Sequence, residues 1–120
     1  MKSLKEHIAK IFAKVVVRRT RKWSEKPIET QKKVFQNLIK KGKKTSFGKD
    51  HNLKSVFTHQ DFINNVPVRD YEGLRPYFEK VIKGEKSVLW PGKPLYFAKT
   101  SGTTSGVKYI PITKDAMPTH

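Results

Sequence analysis

Apolar residues open the chain at helical spacing. Leu4, Ile8, Ile11, Phe12, Val15 and Val16 recur with Lys and Arg on the opposite face, which predicts an amphipathic helix over residues 2–22. Its stripe is expected to dock on the rest of the protein, with Trp23 as a packing anchor. A basic helix of this kind could also lie on anionic lipid or present cations to phosphates. Ser24 and Pro27 signal a second helix start and Gly42 a stop. Ile28, Phe35, Leu38 and Ile39 form its stripe, suited to an αα-hairpin with the first helix. Lys40, Lys41, Lys43 and Lys44 fall at its C-terminal end, where cations favour the helix dipole.

From Thr45 to Val56 the pattern reads as loop, with Gly48, Asp50 and Asn52 as turn residues. Thr58 and Asp61 stand in capping-box spacing and open a short helix over Phe62 and Ile63, which Pro67 ends. Asp70 caps the next helix, whose Leu74, Tyr77, Phe78, Val81 and Ile82 keep helical spacing up to Gly84. Pro76 falls inside that pattern and predicts a kink or a restart. The period then changes. Trp90 to Pro94 is turn material, and Leu95 to Ala98 is a continuous apolar run, the pattern of a strand covered on both faces. Tyr109 to Ile112 reads as a return strand with Pro111 at an edge. Thr113 is an N-cap for one more helix over Lys114, Asp115 and Ala116, soon interrupted by Pro118. Two strands cannot make a buried sheet alone, so the expectation is an N-terminal piece of a longer protein, with sheet partners beyond residue 120.

Charge sharpens this picture. The 120 residues carry 26 Lys and Arg against 10 Asp and Glu, a formal +16. Residues 1–50 hold 16 of the basic and 4 of the acidic residues, so the excess sits at the N-terminal end. The absence of Cys excludes a disulfide scaffold, a cysteine-ligated zinc site and a thiol nucleophile. No apolar run approaches the roughly 20 residues of a membrane span, and lysines interrupt every candidate signal sequence. A reducing, cytoplasmic setting is expected. His7, His51, His59 and His120 lack metal-ligand spacing, so no metal site is expected from them. Asp61 and Asp70 read as helix-start residues, Arg69 and Arg75 as surface-paired, and Tyr96 and Phe97 as core.

The candidate chemistry lies between the two strands. Residues 100 to 106 are all Gly, Ser or Thr, and Lys108 follows. Glycines let a backbone approach a ligand closely, and successive N–H groups in such a turn can form a nest for anionic oxygen. Hydroxyls of Ser101, Thr103, Thr104 and Ser105 add donors, and Lys108 adds a mobile positive charge. The spacing is not that of a Walker A loop, because three residues rather than four separate Gly102 from Gly106. It is not a dinucleotide fingerprint either. A flexible Ser/Gly hairpin loop has the same composition.

The order Thr-Ser-Gly-Thr-Thr-x-Gly-x-Lys over Thr100 to Lys108 resembles the phosphate-binding loop of adenylate-forming enzymes, the acyl-CoA synthetase and luciferase-like superfamily. Ser105 and Val107 depart from its commonest pattern, which has Gly and Pro there. The continuation Lys108-Tyr109-Ile110-Pro111-Ile112-Thr113 is more similar to one branch, the auxin-responsive promoter family of acyl-acid amido synthetases and its bacterial relatives. Thr45-Ser46-Phe47-Gly48, Val66-Pro67-Val68-Arg69-Asp70-Tyr71 and Leu89-Trp90-Pro91-Gly92 agree with it.

The resemblance implies an α/β fold, α+β in the visible part, forming the N-terminal part of a large adenylation domain. Residues 1–44 would be a basic helical hairpin, residues 45–88 loop and short helices, and residues 89–120 strand, phosphate loop, strand and the start of a helix. It implies activation of a small-molecule carboxylic acid with ATP and Mg²⁺ as an acyl-adenylate, then transfer to an amine such as an amino acid, or to a thiol. Ser101, Gly102, Thr103, Thr104, Ser105 and Gly106 would hold the ATP phosphates, and Lys108 would be the catalytic cation. The 120 residues alone are expected to be inactive. The competing reading is a stand-alone basic module for nucleic acid or an anionic membrane surface, although no specific nucleic-acid motif is present. Oligomeric state is silent in the sequence.

Overall fold

Side-chain caps at Thr45, Thr58 and Asp70 open three of the described helices, and Gly42 and Gly84 mark the ends of two. The computed structural model describes residues 3–102 and 106–119. Five helices occur: α1 Leu4–Ser24, α2 Pro27–Gly42, α3 Ser46–Asp50, α4 His59–Asn65 and α5 Tyr71–Ile82. Two strands follow, β1 Tyr96–Lys99 and β2 Tyr109–Ile112, with 3₁₀ turns at Leu53–Ser55 and Met117–Thr119. The described part is mostly helical with one small antiparallel sheet, in keeping with the α/β class. The chain divides into two compact units, residues 1–36 and 37–120.

In the first unit, α1 runs as its periodicity predicts, but it buries none of its residues. Ile11 and Phe12 are 65% and 69% exposed, and Trp23 is exposed as well. The stripe expected to be covered, and Trp23 expected to anchor it, are therefore exposed. Ile28 on α2 is also exposed, so it does not hold the two helices together. The link between α1 and α2 is held instead by the Thr30 hydroxyl, which donates to the Trp23 carbonyl at 3.3 Å.

The second unit contains the core: Leu53, Val56, Phe78, Val81, Val88 and Ile112. Residues 45–56, read from the pattern as loop, fold as α3 and a 3₁₀ turn. The reason is local. The buried Thr45 hydroxyl donates to the Gly42 carbonyl at 2.7 Å and accepts from the Gly48 N–H at 3.0 Å, closing α2 and capping α3 together. Ser46 and Phe47 donate their N–H groups to the carbonyls of Ser87 and Val88, tying this turn to the loop after α5. Asn52 takes the left-handed conformation with φ 48°, as its reading as a turn residue expects.

α4 carries the full capping box between Thr58 and Asp61, and Asp70 caps α5 by accepting from the Gly73 N–H at 2.8 Å. Pro76 neither breaks α5 nor restarts it; the helix continues through it to Ile82. β1 and β2 pair with Tyr96 opposite Ile112 and Lys99 opposite Tyr109. Phe97 faces Pro111. Among the described residues β1 is not covered on both faces, since Tyr96 is 48% exposed, which corrects its assignment to the core. A four-residue apolar run fixes a strand but not what lies over it. After β2, residues 114–116 form a turn leading into the 3₁₀ turn rather than a capped helix.

Candidate functional site

The Ser/Thr/Gly stretch is the connection between β1 and β2, and its limbs are fixed. One pair beyond the end of the ladder, the Thr100 N–H donates to the Lys108 carbonyl at 3.0 Å. The Lys108 N–H donates back to the Thr100 hydroxyl at 3.2 Å. Further in, Gly102 lies against Gly106 so closely that a Cβ at 102 would fall 2.1 Å from the Gly106 carbonyl carbon and oxygen. Gly106 itself has φ +78°. A side chain at 102 would therefore collide with the Gly106 backbone, whereas at 106 the positive φ, not lack of space, favours glycine. Ser101 and Gly102 are exposed, as is Gly106. Thr103, Thr104 and Ser105 lie outside the described residues.

Lys108 is half-buried where the loop rejoins β2. Its ammonium stands 5.5 Å from the ring centre of Tyr71, a cation–π distance. The Tyr71 hydroxyl also accepts the N–H of Tyr109 at 3.2 Å. Tyr71 is the first residue of α5, placed there by the Asp70 cap, and its ring stacks on Phe78 with centroids 4.7 Å apart. The start of α5 thus supports both the backbone and the cation at the loop's exit. Reasoning from the loop motif alone missed Tyr71. The signal that could have found it is its position directly after the capping Asp70.

Two other clusters hold the surrounding frame. Phe47 stacks on His51 with centroids 4.0 Å apart and meets the Tyr77 ring edge-on at 5.2 Å. His51 is buried, its Nδ1 hydrogen-bonding to the Phe47 carbonyl at 2.8 Å, so it is a locally bonded histidine. The Tyr77 hydroxyl donates to Asp50 at 2.8 Å. Burial first, and then the neighbouring Asp50 carboxylate, raise the Tyr77 pKa.

The second cluster centres on Asp115, whose Oδ2 accepts from Lys41 Nζ at 2.7 Å and from Trp90 Nε1 at 3.1 Å. Both bonds, Lys41's first, hold the Asp115 pKa below the usual carboxylate range. Lys41 also lies 5.5 Å from the Trp90 ring centre. One member of the lysine run at the end of α2 therefore has a specific partner beyond the helix dipole. Arg75 pairs with Glu72 on the surface of α5. Among the described residues, no group of three or more His, Asp or Glu side chains could hold a metal ion. No described helix is long and apolar enough to cross a membrane.

Residues 16–120 match the GH3 family N-terminal domain, and the chain belongs to that family. The indole-3-acetic acid-amido synthetase GH3.15 of Arabidopsis thaliana is 33% identical over 89 residues, covering 72% of this chain and 15% of its own length. The corresponding GH3.3 enzyme of the same plant is 29% identical over 86 residues, or 71% of this chain and 14% of its own. The jasmonoyl–L-amino acid synthetase JAR6 of Nicotiana attenuata is 27% identical over 120 residues, 98% of this chain and 21% of its own. The chain spans between about one-seventh and one-fifth of the length of these relatives. No solved structure matches it.

Proposed function

We propose that this chain forms the phosphate-binding N-terminal part of an ATP-dependent acyl-acid amido synthetase. The carboxylate oxygen of a small acid attacks the α-phosphorus of ATP, the bond to pyrophosphate breaks, and an acyl-adenylate forms. An amine such as an amino acid then attacks the acyl carbonyl and AMP leaves; a thiol is the alternative acceptor. The observation that carries this reading is the seating of Lys108 on Tyr71 at the exit of a loop narrowed by Gly102 and Gly106.

In such a reaction the protein's task is orientation and stabilisation of spreading charge rather than covalent chemistry. The described backbone limbs hold the loop's shape, and Ser101 through Gly106 hold the phosphates. Lys108 supplies charge already positioned, so little reorganisation is needed at the moment of reaction. Mg²⁺ would accompany ATP and supply positive charge that offsets the phosphates alongside Lys108. A cytoplasmic setting belongs to this reading.

The test is acid-dependent ATP–pyrophosphate exchange by the native gene product. A panel of aryl, indolyl and aliphatic carboxylic acids should include one that supports exchange. Lys108→Ala should lower kcat/KM for ATP by about 100-fold or more, the scale of losing one preorganised electrostatic group, while the acid's binding changes far less. Equal effects on both substrates would remove the phosphate role of Lys108. No exchange with any acid would remove the reading itself.

A further inference from the structure

We infer that α1 is an interfacial helix that docks the protein on an anionic lipid surface. Its apolar side chains are exposed: Leu4, Ile8, Ile11, Phe12 and Val15 follow one face at helical spacing, and none is buried. Lys10, Lys14, Arg18 and Arg21 follow as a second stripe at spacings of four, four and three residues. Across Leu4–Ser24 there are seven Lys and Arg and one Glu. An apolar face beside a cationic flank, without the length of apolar sequence that would span a bilayer, is the pattern of a helix lying in the headgroup plane.

Charge complementarity selects the occupant. A second copy of this helix would bring like charges together, whereas anionic headgroups would neutralise the flank as the apolar stripe enters the acyl boundary. Nucleic acid would satisfy the cations but leave the Ile and Phe stripe in water. The stripe's five members also precede residues 16–120, the part that matches the family domain. This inference does not depend on the proposed chemistry of the loop.

The experiment is co-sedimentation of the native gene product with phosphatidylcholine vesicles, with and without phosphatidylserine. Binding is expected only to the anionic vesicles. Ile11→Ser with Phe12→Ser should weaken it by about tenfold or more, because two exposed apolar side chains no longer enter the interface. Lys14→Gln and Arg18→Gln should each weaken it by about fivefold. The substituted residues are all exposed, and circular dichroism of each variant checks that the helix remains. No binding to anionic vesicles overturns the inference, as would occur if another part of the protein or a second copy covered α1. Binding that ignores the apolar double substitution, with equal affinity for a DNA duplex, also overturns it, because the helix would then be acting only as a polycation.

Discussion

Thr45 and Gly48 show how much one short turn can rest on two small residues. The Thr45 hydroxyl is fully buried and serves as donor and acceptor at once. Thr45→Ala should cost about 1–2 kcal/mol, the loss of a cap and of a buried hydrogen bond, while Thr45→Ser should retain most of the stability. At Gly48 an added Cβ would sit 2.1 Å from the Gly42 carbonyl oxygen, and that neighbour is backbone. Gly48→Ala should therefore cost more, about 3 kcal/mol or beyond. Urea midpoints of the three variants give the order, and a neutral Gly48→Ala would contradict the close approach. These residues were visible in the sequence as part of a family-like string. Their role was not, because capping two helices with one hydroxyl depends on where α2 ends.

Tyr71 poses the same kind of question at the candidate site. Tyr71→Phe keeps the ring beneath Lys108 and loses the bond from the Tyr109 N–H. Tyr71→Leu loses both. If the ring seats the cation, Tyr71→Phe should leave the KM for ATP within about threefold, while Tyr71→Leu should raise it by about the factor that a cation–π contact of 0.5–2 kcal/mol allows, up to about 30-fold. Identical kinetics for the two variants would assign the effect to the hydroxyl alone.

At the scale of elements, what was legible followed from caps and periods. The α4 capping box and the Asp70 cap were readable because each needs only a polar residue at a fixed offset. α3 was not, since five residues show no helical period. The strands were readable as strands, but the exposure of Tyr96 was not, because burial depends on what covers a face. The α4 cap also carries a pH signature. Bonds from the N–H groups of Phe57 and Thr58 hold the Asp61 pKa below its ordinary 3.8. A carboxylate with a lowered folded pKa stabilises the protein above its unfolded value, and that contribution is lost as pH falls through the folded value. Asp61→Ala should therefore unfold at lower urea than the parent at pH 7. The gap should narrow as the pH is taken below about 3.8. A gap independent of pH would mean that the charge of Asp61 is not what holds the cap.

At the scale of the whole molecule, the six buried apolar side chains among the described residues all fall in the second unit, and the apolar stripe of α1 is exposed. Stability should follow that division. Amides of α1 should exchange with solvent far faster than those of α5 in the absence of lipid, since few buried contacts oppose opening there. Comparable protection of the two helices would mean that α1 is covered after all. The same distribution bears on activity. In the second unit, a hollow bounded by Val81, Val88, Trp90 and Pro111 measures about 20 Å³, room for one water, whereas small-molecule sites enclose about 300–1,000 Å³. On the proposed function the loop would hold phosphate, but this hollow cannot surround an acid. We therefore expect residues 1–120 expressed alone to show no acid-dependent pyrophosphate exchange, even where the native gene product does. Exchange by the 120-residue chain would require an acid site built from these elements, and the separation of phosphate loop from acid pocket would have to be abandoned.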